Sequence, residues 1–416
     1  MRSILKTLPA LLVLAVNEPA PVEAPTGFDN LSNGLTDDQT HANDKDKFDE
    51  VEEITPNGLG PVYNAQSCRE CHQNPVSGAA SQVSELRVGS VHKGRFVNPT
   101  VFINNGKDTI TGRTLINDRA ICPEAQERVP VGNPIRTFRL SVNLLGDGFV
   151  EAIPDQVLID LAKKNGGVAI RVPVLEAPGT GAIGKFGWKD QQASLLSFSA
   201  DAYLNEMGIT NRLLPTEVTT VHNPTSGITE PNDQEDANGV ADIDSFARFI
   251  RATKTPPRDG ILAATPLAQR GSVLFDQIGC SACHVRTFTT APAGTSINGG
   301  TVVVSDAIGG KTFHPFSDFL LHDVGTGDGI AIAVQEHFGG QAGYMRQMDV
   351  DVTANRMRTP PLWGMRMRPR LMHDGAQPRP ADAINRHRGE AAAAARTFRR
   401  LPLREQDALT AFLQSL

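Results

Sequence analysis

The stretch "GCSACHVRT", residues 279–287, sets two cysteines three positions apart and follows them at once with a histidine. "SCRECHQNP", residues 67–75, carries the same Cys-x-x-Cys-His skeleton earlier in the chain. Three chemistries use cysteines at this spacing. A thioredoxin-like redox pair needs no histidine after the second cysteine and expects a strand running into a helix. A zinc site could gather Cys68, Cys71, Cys280 and Cys283, but His72 and His284 would then be superfluous to a four-coordinate ion. Covalent haem uses every position. Residues i and i+3 face the same way on a helical turn, so both thiols reach the vinyl groups of one porphyrin, and the next residue swings its imidazole under the iron. The doubled motif predicts two covalently bound haem c groups, on Cys68 with Cys71 and on Cys280 with Cys283. His72 and His284 are the expected proximal ligands.

The flanks of the second motif fit that reading. In "TPLAQRGSVLFDQIGC" Leu267, Leu274 and Ile278 fall on one helical face, with Thr265 or Pro266 opening the segment. "PLREQDALTAFLQSL" spaces Leu409, Phe412, Leu413 and Leu416 as an amphipathic closing helix. Between the motifs the texture changes. Residues 86–153 hold short alternating runs such as "TVFINN" and "RTFRLSVNLL", which predict strands and hairpins. Residues 154–165 and 189–207 read as helices, and the polar run 222–240 as a linker. The expected organisation is a leader at residues 1–24, an N-terminal haem domain with a β-containing insertion at 25–240, and a C-terminal cytochrome c-like domain at 241–416. The expected fold class is mainly α.

Composition narrows the setting. The chain has 416 residues, 40% hydrophobic and 21% charged, with a formal net charge of −6, which suits a globular protein and makes nucleic acid or an anionic membrane poor partners. Within that acidic whole, residues 356–404 gather twelve arginines, suited to haem propionates or an acidic partner and also to solvated helix faces. Arg2 and Lys6 precede an apolar run from Leu8 to Val16 and a Pro-rich exit, the pattern of an export signal too short to span a bilayer. A periplasmic or secreted protein without a membrane span is expected. Of five cysteines only Cys122 is left outside the motifs, and it reads as a lone thiol. "DQEDANGVADID" has the flavour of a calcium loop. With Gly239 as its glycine, however, the first and last ligand positions fall on Gln234 and Ser245, so calcium is weakly supported. "GGKT" at 309–312 lacks the first glycine of a phosphate loop and reads as a surface turn.

Taken together, these residues resemble the bacterial dihaem cytochrome c peroxidase superfamily, and within it the dihaem oxidoreductase branch. The resemblance runs from "GLGPVYNAQSCRECH" (58–72) through "FGWKDQQASLLSFSADAYLNEMGIT" (186–210) and "FSDFLLHDVGTG" (316–327) to "RTPPLWGMRMRPRLMHDG" (358–375) and "AINRHRGEA" (383–391). It implies that Trp188 is an electron bridge between the haems and that Glu206 is a distal acid beside the peroxide-binding iron. His387 stands 14 residues after His373, where the peroxidases carry a methionine ligand, so the second haem is expected to be bis-histidine and of lowered potential. Met357, Met365, Met367 and Met372 are nearby competitors, more often core filler. His92, 20 residues beyond His72, is a candidate distal ligand for the first haem and equally an ordinary strand histidine. His322 and His373 are expected to hydrogen-bond around the second haem.

The resemblance implies reduction of hydrogen peroxide or another small oxidant at the first haem, with electrons from a redox partner protein entering through the second. Two other readings stand beside it. An electron-transfer cytochrome without substrate chemistry predicts two capped, low-spin haems. An oxidase of a partner protein requires a docking surface, for which the arginine-rich region is a candidate.

Overall fold

The computed structural model describes residues 22–93, 95–97, 100–103, 107–129, 131–132, 135–219, 221, 231–332, 336–339 and 351–416. The expected leader lies outside them up to residue 21, as do residues 222–230 of the expected linker.

Helices begin and end where local chemistry dictates. α1 (Asp38–Asp49) opens on Asp37, whose carboxylate accepts the Thr40 amide, and α2 (Cys68–Cys71) is a single turn opened by the Ser67 hydroxyl. Next come α3 (Asp147–Glu151), α4 (Asp155–Asn165) and α5 (Leu195–Met207). α5 starts at Ser194 rather than at 189, because residues before it form a turn with Asp190 at φ 51°, and it stops at Gly208 in the left-handed region. The second half supplies α6 (Asp242–Ala252), α7 (Gly260–Ala263), α8 (Pro266–Gln277), α9 (Asp351–Ala354), α10 (Pro380–Arg386), α11 (Ala392–Arg400) and α12 (Leu403–Gln414).

α8 has Thr265 as its cap and Pro266 in its first turn, as its sequence suggests, but it buries a different face. Ala268, Gly271, Leu274 and Phe275 point inward, while Leu267 is exposed. Small residues decide this. A side chain on Gly271 would collide with the Ala408 carbonyl, so α12 packs directly against the α8 backbone.

The expectation of a mainly α fold is corrected by the sheets. Helix makes up 32% and strand 19%, with six small sheets among the described residues. One is a four-stranded antiparallel sheet around Ser84–His92, which pairs with Arg95–Val97, Leu115–Ile116 and Ile135–Leu140. Another is built across the whole chain. Val168–Pro173 pairs with Gly181–Ile183, Leu321–His322 and Glu336–Gly339, and Leu321–His322 pairs in turn with Met357–Arg358. A third joins Val22–Glu23 in parallel to Lys311–Phe313, inside the region expected to be helical. Two- and three-residue strands from distant segments carry no periodicity to read, which is why they were not anticipated.

Two apolar clusters organise the interior. The larger includes Phe48, Phe149, Phe186, Tyr203, Phe246, Phe249, Phe313 and Phe319, with Cys68 packed against it. The smaller includes Phe275, Phe316, Phe398, Leu409, Phe412 and Leu413, with Cys280 packed against it. Each fully buried Phe contributes about 1.5–3 kcal/mol. α6, immediately after residue 240, lays Phe246 against Tyr203 and Phe249 against Phe48 and His41, so it builds the core around the first motif. Among the described residues no helix is long and apolar enough to cross a membrane.

Candidate haem and redox site

The two Cys-x-x-Cys-His turns are built alike. His72 ends α2, its ring tilted 56° to Phe48 at 6.3 Å, and its Nδ1 lies 2.9 Å from the Val142 carbonyl. The second motif winds as a tighter 3₁₀ turn, Cys280–Ala282. There His284 lies 6.3 Å from Phe275 at 52°, with Nδ1 2.9 Å from the Phe316 carbonyl. A ring that donates Nδ1–H to a carbonyl presents Nε2 to a metal in the correct tautomer. Burial pushes both imidazoles down to about 4, which keeps them neutral and able to ligate. The thiols are half-buried, and desolvation raises Cys68 and pushes Cys71 and Cys280 up to about 12. Neutral thiols beside a neutral, oriented imidazole fit a haem attached through its vinyl groups.

His387 repeats the pattern. It caps α10, its Nδ1 lies 2.8 Å from the Ala383 carbonyl, and burial lowers its pKa. It is close enough to His284 to depress that imidazole further, which places the two rings in one neighbourhood. His92 is different: it sits exposed at the end of strand Ser84–His92, paired with Arg95 in a hairpin. Met357 and Met365 are buried.

His322 is held by carboxylates on both sides, with Nε2 2.8 Å from Asp318 and Nδ1 2.6 Å from Glu390. Burial opposes its charge, but Asp318, Cys283 and Glu390 outweigh burial and push the imidazole up to about 12. Cys283 Sγ, Asp318 and His322 lie within 4.8 Å of one another and could hold a metal ion in a chain whose Cys283 is free. A thioether at Cys283 leaves instead a cationic imidazole fixed beside the second motif.

Glu206 lies next to the first motif. Its backbone carbonyl accepts the amides of Asn64 (2.7 Å) and Ala65 (3.2 Å), which lead into α2, and its carboxylate accepts Asn64 Nδ2 at 2.7 Å. After burial, Glu206 is the strongest influence raising the Cys71 thiol. Burial, then the neighbouring Glu85, pushes the Glu206 carboxyl up to about 8. Glu85 goes the other way. Burial would raise it, but Arg87 clamps it with two bonds of 2.7 and 2.8 Å and holds it ionised. One carboxyl therefore keeps its proton at neutral pH while its partner accepts. The charges continue inward. Arg139 lies 4.0 Å from Glu85 and 2.6 Å from Asp328, whose other oxygen pairs at 2.8 Å with the fully buried Lys189.

Trp188 precedes that lysine. Its Nε1–H donates to the Leu140 carbonyl at 2.7 Å, and it stands edge-on to His373 at 6.1 Å. The Leu140 amide donates to the His373 carbonyl at 2.7 Å, and Val142, two residues on, anchors His72. On the far side Asp374, next to His373, is gripped by Arg386, next to His387. Trp188 thus sits where the segment anchoring His72 meets the segment leading to His387.

The remaining candidates are not drawn into this neighbourhood. Cys122 is a half-buried free thiol. In the candidate calcium loop Asp233 accepts the amides of Asp242 and Ile243, and Asp236 those of Asn238 and Val240, so these carboxylates cap their own backbone. Glu85, Arg87, Lys189, Asp328 and the carboxylate partners of His322, Asp318 and Glu390, were not anticipated. Glu85 and Arg87 left a trace: like-facing charges two apart within a strand, in "SELRV". Asp328 lies in a loop and left none.

The family described as "Di-haem oxidoreductase, putative peroxidase" matches residues 133–416. No curated protein matches the chain. Solved structures similar to it include a hydrazine synthase from Kuenenia stuttgartiensis pressurised with xenon, at 14% identity, a TM-score of 0.41 and full coverage of both chains. They also include a MauG-like protein associated with microbial copper homeostasis, at 12% identity and a TM-score of 0.41, covering 97% of this chain and 95% of that one.

Proposed function

The chain belongs to the di-haem oxidoreductase family, and on that footing we propose that it is an exported dihaem c-type enzyme that reduces hydrogen peroxide or a similar small oxidant. Cys68, Cys71 and His72 would hold the first haem, and Cys280, Cys283 and His284 the second, with His387 a further residue placed to hold the latter. Haem supplies the redox-active iron: it binds the oxidant and relays electrons.

The residues supply positioning and protons. Glu206, protonated at neutral pH, is set to give its proton to an oxygen of the bound oxidant, and Glu85, kept ionised by Arg87, orients that proton and favours its return. Reduction of one peroxide to two waters consumes two protons and two electrons. A redox partner protein would supply the electrons, and the second haem, held by Cys280, Cys283 and His284, would relay them. Trp188 offers the aromatic bridge between the two, held rigid by the Leu140 carbonyl and by His373. His387, buried and oriented by Ala383, would close the second iron to substrate. His92 is exposed and has no such anchor, which favours an open first iron.

The observation that carries this reading is the Glu206 carboxyl held by Asn64 beside the first motif, with Glu85, clamped by Arg87, as its neighbour. Replacing Glu206 with Gln in holoprotein of unchanged haem content should lower peroxide turnover by about 10²-fold or more. Unchanged turnover would remove the acid from the mechanism.

A further inference from the structure

The arginines concentrated between residues 356 and 404 divide into two populations. Those facing inward have partners. Arg358, 3% exposed, donates to the Lys185 carbonyl, Arg366 to the Leu416 carbonyl at 3.0 Å, and Arg386 clamps Asp374. Arg396, Arg399, Arg400 and Arg404 are exposed, and among the described residues none has a carboxylate within ion-pair distance. Other surface arginines are matched in Arg212–Asp244, Arg248–Asp44 and Arg286–Asp276, while Arg128, Arg136 and Arg388 are exposed singly without an ion pair among the described residues, so what sets the four apart is their concentration within nine residues.

Arg396, Arg399 and Arg400 lie at i, i+3 and i+4 on the exposed side of α11, away from the buried Phe398, and Arg404 follows four residues later in the first turn of α12. Residues 396–404 contain no acid. The helix dipole accounts for Arg399 and Arg400 at the end of α11 but disfavours Arg404 at the start of α12, so local helix electrostatics does not explain the set. Beside Arg404, Leu403 is 77% exposed. The opposite side of these helices, through Phe398, Leu409 and Phe412, builds the cluster against which Cys280 packs. The arginines therefore lie on the outer side of helices whose inner side faces the second motif.

We propose that this face docks an acidic electron-carrier protein that delivers electrons to the second haem. The proposal rests on the reading that Cys280, Cys283 and His284 hold that haem. An apolar contact ringed by one sign of charge suits a transient complex. The charge steers encounter and excludes like-charged proteins, and the small apolar centre lets the carrier leave again. The overall charge of −6 would repel an acidic carrier from the rest of the surface, so the arginine face is where such a carrier can land.

The test uses holoprotein without peroxide, so the peroxidase reading is not at stake. Reduced plant-type [2Fe–2S] ferredoxin, an acidic carrier of low potential, is mixed with the oxidised protein. Each cluster loses one electron and one ferric haem becomes ferrous. The second-order rate constant should fall steeply with added salt. Replacing Arg396→Glu, Arg400→Glu and Arg404→Glu together should lower it by about tenfold or more at low salt. Reduction by the small neutral lumiflavin semiquinone should be unchanged, showing that the variant is folded and its haems accessible. Equal ferredoxin rates and salt dependence in the two proteins overturn the proposal, as does no ferredoxin reaction where lumiflavin reacts. Binding to anionic phospholipid vesicles that the variant loses, with its ferredoxin rate unmoved, assigns the face to a membrane and overturns it also. A preparation with no covalent haem at Cys280 and Cys283 removes the underlying reading and the proposal with it.

Discussion

Trp188 and His72 are anchored two residues apart on one stretch of chain, the indole on the Leu140 carbonyl at 2.7 Å and the imidazole on the Val142 carbonyl at 2.9 Å. Movement of either anchor moves the other, so the Trp188 indole and the His72 imidazole form one mechanical unit. His373, edge-on to the same indole, ties that unit to the arm that carries His387.

Replacing Trp188 with Phe keeps an aromatic ring but leaves the Leu140 carbonyl without its donor. Denaturant unfolding should show a loss of about 1–3 kcal/mol, the cost of an unsatisfied buried acceptor. Electron passage from the second haem to the first, followed by rapid-mixing spectroscopy, should slow while haem content stays constant.

Glu206 and Glu85 give opposite pH signatures. Glu206 has a folded pKa above its ordinary value, so its proton is present at neutral pH and is lost as pH rises through the raised value. Turnover should show an alkaline limb that Glu206→Gln abolishes. The stability contributed by the protonated group is complete below about pH 4.3 and declines as pH rises towards the folded value. Glu85, with a lowered pKa, contributes stability above that same value and loses it as pH falls. Glu85→Gln removes the charge that raises Glu206, so the alkaline limb should move to lower pH.

His387 is expected to cap the second iron. His387→Ala should convert that haem from low to high spin and make it bind cyanide. His387→Met should keep it low-spin and raise its midpoint potential, because thioether favours the ferrous state relative to imidazole.

The Asp328 carboxylate serves two buried cations, Lys189 and Arg139. Asp328→Asn leaves Lys189 with backbone carbonyls and Arg139 with the more distant Glu85 but takes the compensating charge from between them, and thermal or denaturant unfolding should reveal a loss of about 3–5 kcal/mol. Adding Lys189→Met should recover part of it. Equal stability of Asp328→Asn and the parent would show that the pair is dispensable.

What the sequence made legible was local. The Cys-x-x-Cys-His turns, the Thr265–Pro266 helix start and the closing helix are short-range patterns, and the structure contains them. The buried face of α8 was misjudged because Ala268 and Gly271 carry no hydrophobic signal although they govern the approach of α12. The mixed α and β character was missed because strands such as Leu321–His322 are two residues long and exist only through distant partners, Val168 on one side and Met357–Arg358 on the other. In the site, the cysteines and histidines announce themselves by spacing. Asp328 and Glu390 take their meaning from the buried cations they meet, which only the folded chain reveals.

The most direct test of the central claim is the optical spectrum of the oxidised holoprotein titrated with cyanide. The account predicts two covalently bound haems. One, lost in Cys68→Ser with Cys71→Ser, is high-spin and converts on binding cyanide. The other, lost in Cys280→Ser with Cys283→Ser, is low-spin and inert to it. Two cyanide-inert low-spin haems, or a protein with no covalent haem band, would contradict it.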